Sequence, residues 1–108
     1  MIFGNIHIIF LFLFQQQIEI NIINNTTFTI DELNVYSQKF KSLKPKDTTA
    51  TKSFIFDGLT NNSIINLKAE SKQFILYIPP PKHVKYTIVL DSLNIENRVI
   101  YYSTQIKY

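Results

Sequence analysis

The sequence predicts an all-β domain, an antiparallel β-sandwich of about seven or eight strands. Ala is rare while Ile, Phe, Tyr and Thr are frequent, and β-branched and aromatic residues favour pleated structure over helix. Apolar and polar residues alternate over short segments, as in strands with one buried face. Turn signals recur at a spacing of roughly 8 to 14 residues, which is typical of sandwiches.

A chain of 108 residues holds one domain, since a single core usually takes roughly 100 to 200 residues. Charged residues make up 18% of the chain, below the usual share of about 25%, which argues against a disordered chain or a coiled coil. The abundance of Ile, Asn, Lys, Phe and Tyr indicates an AT-rich genome. We divide the chain into an apolar N-terminal segment, residues 1–17, and the predicted sandwich, residues 18–108.

The N-terminal segment carries no Asp, Glu, Lys or Arg and contains an apolar run at residues 8–14, which starts at Ile8 and ends at Phe14. The run is too short to span a bilayer, which takes about 20 residues, but it fits the apolar core of a secretory signal peptide. The lack of Lys or Arg in residues 1–5 and of small residues after Phe14 argues against a cleaved signal. A buried core strand and an uncleaved anchor or interface segment therefore remain alternatives to export.

The first predicted strand starts at Ile18. Here Ile18, Ile20 and Ile22 alternate with polar residues and give one apolar face. Residues 24–27, Asn-Asn-Thr-Thr, predict a turn, because Asn tolerates positive φ and Thr bonds to its own backbone. The alternation resumes at Phe28, so a second strand follows the turn.

A change of parity predicts a bulge in the second strand. Phe28 and Ile30 share one parity, and Leu33 and Val35 lie on the other. In a regular strand this change would turn the second pair away from the core. A bulge or bend at Asp31 keeps all four apolar residues turned inward, and we favour it over a tight turn at that position.

The same pattern recurs near the C-terminal end of the chain. Residues 30–35 and residues 90–95 both read apolar, Asp, polar, Leu, Asn, apolar. The shared stretch is too short to indicate a repeat architecture, whose units span about 20 to 50 residues. At Asp91 the pattern fits either a second bulge or a tight turn.

The rest of the chain alternates between strand and turn signals. Predicted strands cover residues 48–56, 64–69, 74–78, 86–90 and 98–106. The turn signals beside them are Leu43-Lys44-Pro45-Lys46-Asp47, Asp57-Gly58, Asn61-Asn62-Ser63, Pro79-Pro80-Pro81 and Glu96-Asn97. Residues 74–78 are apolar on both parities, which predicts a central strand buried on two faces.

The turn pattern resembles that of a known class of proteins. The residues that carry it are Asn24-Asn25-Thr26-Thr27-Phe28-Thr29-Ile30-Asp31, Leu33-Asn34-Val35-Tyr36, the Leu-x-Pro turn from Leu43 to Pro45, and Tyr86-Thr87-Ile88. Over residues 18–108 the chain resembles small exported bacterial β-sandwich proteins of immunoglobulin-like or fibronectin-III-like shape. It departs from immunoglobulin domains because it has no Cys pair and no Trp. The resemblance implies adhesion or scaffolding.

The composition argues against catalysis. With no Cys, disulfides, zinc-thiolate sites and thiol nucleophiles are excluded. The two histidines, His7 and His83, are too few for a multi-histidine metal centre. Gly4 and Gly58 are the only glycines, which excludes phosphate-binding glycine loops and a G-x-S-x-G nucleophile elbow. We predict no enzyme activity, no metal and no cofactor.

Two clusters of cations form the predicted anion or partner surface. Their members are Lys39, Lys41, Lys44 and Lys46 in the first, and Lys82, His83 and Lys85 in the second. Basic residues interleaved with aromatic ones can hold anionic polymers. Lysines at a sheet edge also prevent edge-to-edge pairing, and a basic loop is also explained by solvation. A net charge of +3 and a pI near 9.2 are mild and argue against nucleic acid, which leaves a protein or glycan partner.

Two functions follow from these observations. The first is an exported, non-catalytic β-sandwich in the periplasm, at the cell surface or outside the cell, which acts as a binding, adhesion or scaffold module. The alternative is a structural subunit of a large organellar or membrane-associated assembly. In that alternative the N-terminal segment is a buried contact, and its apolar run at residues 8–14 provides a membrane contact.

Overall fold

The computed structural model describes residues 15–106, and within them eight strands form two sheets of four. The strands are β1 (Gln15–Asn24), β2 (Asp31–Val35), β3 (Gln38–Lys39), β4 (Lys52–Asp57), β5 (Ile64–Ala69), β6 (Lys72–Tyr77), β7 (Lys85–Asn94) and β8 (Val99–Ile106). The first sheet has the order β4-β1-β7-β8, and the second has the order β3-β2-β5-β6. The predicted all-β, sandwich-like fold and the predicted number of strands are confirmed.

The first sheet contains one parallel pair of strands, which the predicted antiparallel sandwich did not include. β1 runs parallel to β7, with Glu19 opposite Lys85 and Asn24 opposite Leu90. β1 also pairs with β4, and β7 pairs with β8, both antiparallel. The alternation of apolar residues shows which face of a strand is buried, but it carries no information on the direction of the neighbouring strand. The antiparallel prediction was therefore wrong for this pair.

The core lies between the two sheets and begins with the first strand. Ile18, Ile20 and Ile22 are all fully buried, which confirms the predicted apolar face of β1. Together they contribute a large part of the apolar surface removed from water, at about 25 cal/mol per Å². The fully buried side chains that fill the rest of the core include Ile30, Leu33, Val35, Ile65, Leu67, Phe74, Ile88 and Leu90.

The predicted bulge in β2 is present. The register of β2 against β5 shifts between Asp31 and Asn34, and Glu32 has a φ of 48°. As a result Ile30, Leu33 and Val35 are all buried although their parity changes, whereas Phe28, the fourth residue predicted to turn inward, is only half-buried. The extra residue turns the second half of the strand back toward the core.

The second copy of the pattern also forms a bulge. The register of β7 against β8 shifts between Leu90 and Ser92, so Asp91 has no counterpart on β8. Leu90 and Leu93, on either side of the shift, are both buried. This excludes the tight turn that the sequence had left open at Asp91.

The positive φ of Glu32 predicts which substitutions the β2 bulge tolerates. A left-handed backbone costs roughly 1 to 2 kcal/mol for an ordinary residue, and more for a β-branched one, whereas Asn adopts it readily. Glu32→Val should therefore lower the free energy of unfolding by about 1 to 2 kcal/mol. Glu32→Asn removes the same exposed ion pair with Lys68 and should change it by less than about 0.5 kcal/mol. Urea unfolding measures both, and equal losses would show that the ion pair and not the backbone is responsible.

Two hairpins turn without glycine. Tyr36 and Ser37 join β2 to β3 with φ values of 51° and 65°, and Glu70 and Ser71 join β5 to β6 with 53° and 61°. Two central residues with positive φ are the geometry of a type I′ turn, which normally uses Asn-Gly or Asp-Gly. Because the usual dipeptides are missing, the sequence did not indicate either hairpin. At Tyr36 the contacts of the buried side chain offset the cost of the positive φ.

The prediction that residues 74–78 form a central strand was wrong. β6 is an edge strand of the second sheet and pairs with β5 alone. Phe74 points into the core and is fully buried, whereas Ile75 and Tyr77 on the other face are 52% and 83% exposed. A run of apolar residues is typical of a strand covered on two faces, but here the outer face has no cover within the described residues.

The described part of the chain starts ahead of the predicted domain boundary. β1 begins at Gln15, which pairs with Asp57 on β4, and not at Ile18. The export, anchor and membrane-contact predictions for residues 8–14 lie outside the described residues. Within residues 15–106 there is no helix of the length and apolar character needed to cross a membrane.

Candidate functional site

A cleft of about 390 Å³ lies beside the connection from β6 to β7, at two of the predicted basic residues. This connection crosses from the second sheet to the first, and it contains the three prolines. Four separate parts of the chain meet in the cleft. Its lining residues are Tyr36, Ile78, Pro79, Pro80, Lys82, His83, Tyr86, Ile88, Tyr102, Ser103 and Thr104. We call it the tyrosine cleft.

Two buried tyrosines form the inner wall of the tyrosine cleft. The Tyr36 hydroxyl donates a hydrogen bond to the carbonyl oxygen of Pro79 at 2.7 Å, and the Tyr86 hydroxyl donates to the Tyr36 oxygen at 3.1 Å. The Tyr36 ring also packs edge-on against Phe56, with ring centroids 5.5 Å apart. Both phenol protons are already donated to acceptors within the protein. The tyrosines therefore present mainly acceptor oxygens and ring edges to the cleft. The bond to Pro79 fixes the start of the crossing connection.

Hydrogen-bond donors to a ligand come from the rim of the tyrosine cleft. Lys82 and His83 line the cleft and are both exposed, so their side chains lie at its mouth. The His83 ring stands edge-on to the Tyr86 ring at 6.4 Å. Thr104 on β8, which shares a face with Tyr102, adds a hydroxyl group on the opposite side. The arrangement combines an apolar, aromatic interior with a few polar groups at the edge, as is usual in ligand sites.

The third member of the second cation cluster lies apart from the other two. Lys85 is the first residue of β7, and its ammonium group lies 3.5 Å from the carboxylate of Glu19 on β1. It is not among the residues that line the tyrosine cleft. The structure therefore brings Lys82 and His83 together at one site and places Lys85 in an ion pair outside it.

The first cation cluster lies on a different part of the molecule. Lys39 belongs to the short edge strand β3, and Lys41, Lys44 and Lys46 lie in the long connection from β3 to β4. All four are exposed. Lys46 donates a hydrogen bond to the side-chain oxygen of Asn25 at 3.0 Å, and its backbone nitrogen donates to Asn24. Lys46 therefore helps to hold the loop in which it lies.

A second cavity, of about 370 Å³, is lined by residues 39–43 and 47–52 of this connection and its ends. The Lys52 ammonium lies 5.3 Å above the Phe40 ring and donates to the backbone oxygen of Lys39. These contacts join edge strand β4 of one sheet to edge strand β3 of the other. They are made by Lys52, which is not a member of the first cluster.

Lys46 of the first cluster lies far from Lys85 of the second. Lys46 is bonded to Asn24 at the end of β1, whereas Lys85 stands opposite Glu19. At about 3.3 Å per residue along a strand, positions 19 and 24 lie roughly 16 Å apart. This distance exceeds the Debye length of about 8 Å at physiological salt, so Lys46 and Lys85 act as separate charges.

The sequence indicated only Lys82 and His83 among the residues of the tyrosine cleft, and Tyr36 shows why the others were missed. It follows the second strand, at a position where a strand residue and a turn residue look alike. Its role arises from three distant partners, Pro79, Tyr86 and Phe56. No local sequence pattern predicts these contacts, because each partner lies far from Tyr36 in the chain.

The tyrosine pair predicts a dependence of stability on pH. Burial raises the pKa of Tyr36 and of Tyr86 above the ordinary value near 10. Below pH 10 the folded and unfolded chains both keep these protons, so the pair adds no pH dependence. As pH rises above 10 the unfolded chain loses its protons first, and the free energy of unfolding should fall. Urea unfolding at a series of alkaline pH values measures the slope.

Three phenylalanine variants test the origin of this slope. Tyr36→Phe and Tyr86→Phe should each make it shallower, because each removes one buried proton. Tyr77→Phe is the matched control, since Tyr77 is 83% exposed and should leave the slope unchanged. An equal effect of all three variants would show that burial is not the cause.

Among residues 15–106, no three His, Asp or Glu side chains lie close enough together to hold a metal ion. The tyrosine cleft is described by its aromatic wall and by the two basic residues at its rim, Lys82 and His83. Comparisons of the chain with protein-family models, with curated proteins and with solved structures found no match, so these residues are the basis for any functional conclusion.

Proposed function

We propose that this protein is an exported, non-catalytic β-sandwich that binds an anionic group of a protein or glycan partner in the tyrosine cleft. The observation that carries the proposal is the cleft itself, where exposed Lys82 and His83 stand over a wall of three tyrosines. Binding residues are found disproportionately on loops held by a rigid scaffold. The connection from β6 to β7 is such a loop, anchored by the hydrogen bond from Tyr36 to Pro79.

Export and the type of sandwich belong to the same proposal. The apolar run at residues 8–14 supports export, since it has the length of a signal-peptide core. Two packed sheets of four strands support an immunoglobulin-like or fibronectin-III-like sandwich. Comparing the mass of the protein recovered from the culture medium or periplasm with that of the full chain tests export directly. A protein confined to the cytoplasm with its full mass would contradict it.

Binding in the tyrosine cleft is tested with a heparin-derived tetrasaccharide and a short polyglutamate peptide as anionic probes. Either probe, titrated into the ¹⁵N-labelled protein, should shift the amide resonances of Tyr86, Ile88 and Tyr102. The double variant Lys82→Gln/His83→Gln should weaken binding about tenfold, which corresponds to ~1.4 kcal/mol. Added salt should weaken it as well, because exposed charges are screened.

The matched control is the double variant Lys39→Gln/Lys41→Gln. It removes two exposed cations from the other cluster, neither of which lines the tyrosine cleft, and should leave the affinity within about twofold, since exposed charges that do not contact the probe are largely screened. If neither probe shifts the cleft resonances, or if both double variants weaken binding equally, the tyrosine cleft is not the binding site.

A further inference from the structure

The two sheets expose four edge strands in the described part of the chain, and one of them differs from the rest. β3 is two residues long, β4 carries Lys52 and Asp57, and β6 carries Lys72. Short length and charged side chains are the usual means by which proteins prevent an edge from pairing with another chain. β8, Val99–Ile106, is eight residues long and contains no charged residue and no proline. Its edge is therefore unprotected.

Among the described residues, the inward face of β8 is also uncovered over the second half of the strand, whereas Ile100 in the first half is buried in the core. Tyr102, Thr104 and Ile106 stand opposite Leu90, Ile88 and Tyr86, which belong to the core face of β7. Nevertheless Tyr102 is only half-buried, Thr104 is exposed and Ile106 is 43% exposed. Positions that face the core on β7 thus have neighbours on β8 that face the open cleft.

The unprotected edge and the cleft lie side by side. Tyr102, Ser103 and Thr104 of β8 form one wall of the tyrosine cleft. A strand added at this edge would lie about 4.8 Å from β8, and every second side chain would point to the inner side, over the cleft. The cleft volume of about 390 Å³ gives these side chains room. Lys82 and His83 at the rim favour an acidic group on the incoming segment.

We propose that β8 accepts an extended segment of a partner protein as an additional strand, with alternate apolar side chains in the tyrosine cleft and an acidic side chain near Lys82 and His83. The proposal rests on the proposed function, because it takes the tyrosine cleft as the binding site and names its occupant. Backbone hydrogen bonds along the edge provide affinity, and the cleft selects the side chains. A glycan has no row of amides to pair with β8, so the two kinds of ligand are separable by experiment.

The probe is a displayed library of peptides that have apolar residues at alternate positions and one acidic residue at a varied position. Selection on the full chain should enrich peptides that bind in the micromolar range. A selected peptide, made synthetically, should shift the amide resonances of β8 and slow the exchange of its outer amides with deuterium. The same peptide with every amide N-methylated should show at least tenfold weaker binding, because it cannot pair with an edge.

Ser103→Lys tests the edge on the protein side, with Ser53→Lys as its matched control. Both serines are exposed, and both lie on edge strands of the first sheet. A lysine at position 103 adds a cation beside a basic cleft, so electrostatics alone would strengthen the binding of an acidic peptide. We expect instead at least a tenfold loss for Ser103→Lys and no loss for Ser53→Lys. Gln105→Lys, also exposed on β8, repeats the test should Ser103→Lys lower the melting temperature.

Four outcomes overturn the proposal. In the first three, the library yields no binding peptide, or the selected peptides bind equally well after N-methylation or to Ser103→Lys. In these three cases binding of either anionic probe in the cleft would leave the proposed function intact, and failure of both probes would overturn it as well. In the fourth, the free protein forms a dimer that Ser103→Lys dissociates, and the edge is then occupied by a second copy of this chain.

Discussion

Phe74→Ala should lower the free energy of unfolding by about 3 to 5 kcal/mol, the usual cost of removing a buried phenylalanine. The Phe74 side chain lies on the inner face of β6, opposite Leu67, and has no exposed surface. Its removal loses apolar burial and leaves a cavity that the two rigid sheets cannot close. A small domain has only about 5 to 15 kcal/mol of stability in total, so the variant should be close to unfolding at room temperature. Urea unfolding measures the difference.

Ile75→Ala is the matched control for this prediction. Ile75 is the next residue of the same strand, but it is 52% exposed on the outer face. Its truncation should cost less than about 1 kcal/mol, since little apolar surface leaves the protein interior. Comparable losses for Phe74→Ala and Ile75→Ala would mean that the outer face of β6 is covered in solution, which would contradict its assignment as an exposed edge.

Asn24→Ala should lower the free energy of unfolding by about 3 kcal/mol or more, because it breaks a buried hydrogen-bond network. The Asn24 amide nitrogen donates to the backbone oxygens of Phe28 and Leu43 at 2.7 and 3.0 Å. Its side-chain oxygen accepts from the backbone nitrogen and the hydroxyl of Thr26 at 3.0 and 2.6 Å. The side chain is completely buried. An unsatisfied buried group costs about 1 to 3 kcal/mol, and alanine leaves several of them without a partner.

Two further variants show which hydrogen bonds account for the expected loss of stability in Asn24→Ala. Asn25→Ala alters the exposed neighbour, which accepts one hydrogen bond from Lys46, and it should change the stability by less than about 0.5 kcal/mol. Asn24→Asp keeps the acceptor oxygens but cannot donate to Phe28 and Leu43, so it should be almost as damaging as Asn24→Ala. If Asn24→Asp were as stable as the parent, the donated bonds would contribute nothing, and the network would not hold the turn.

The same residue shows where local reasoning stops. The sequence predicts a turn at residues 24–27 from the tolerance of Asn for positive φ; the chain bends at residues 26–28, and neither Asn24 nor Asn25 has a positive φ. However, Asn24 is the last residue of β1, and it acts through its side chain, which joins the turn to Leu43 in a distant loop. The position of the turn was therefore predictable, whereas the way it is fixed depends on a partner nineteen residues away.

The bulges were predictable for a different reason. Ile30 and Leu33 cannot both face the core in a regular strand. A bulge inserts one extra residue and so turns both of them inward. This argument needs only the parity of neighbouring residues and the tendency of apolar side chains to be buried. The argument predicted the bulge at Asp31. At Asp91 it allowed either a bulge or a tight turn, and the pairing of β7 with β8 shows that a bulge is present.

The sequence by itself determined the fold class, the positions of most strands and the buried face of β1, because these depend on alternation and turn chemistry within short segments. The tertiary structure decided the rest: that β1 lies parallel to β7, that β6 is an edge, and that Tyr36 meets Tyr86 fifty residues away. It also separated Lys82 and His83 from Lys85 and from the first cluster. Strand order depends on which pairing of many similar apolar strands gives the best-packed core, and that choice is a property of the whole chain.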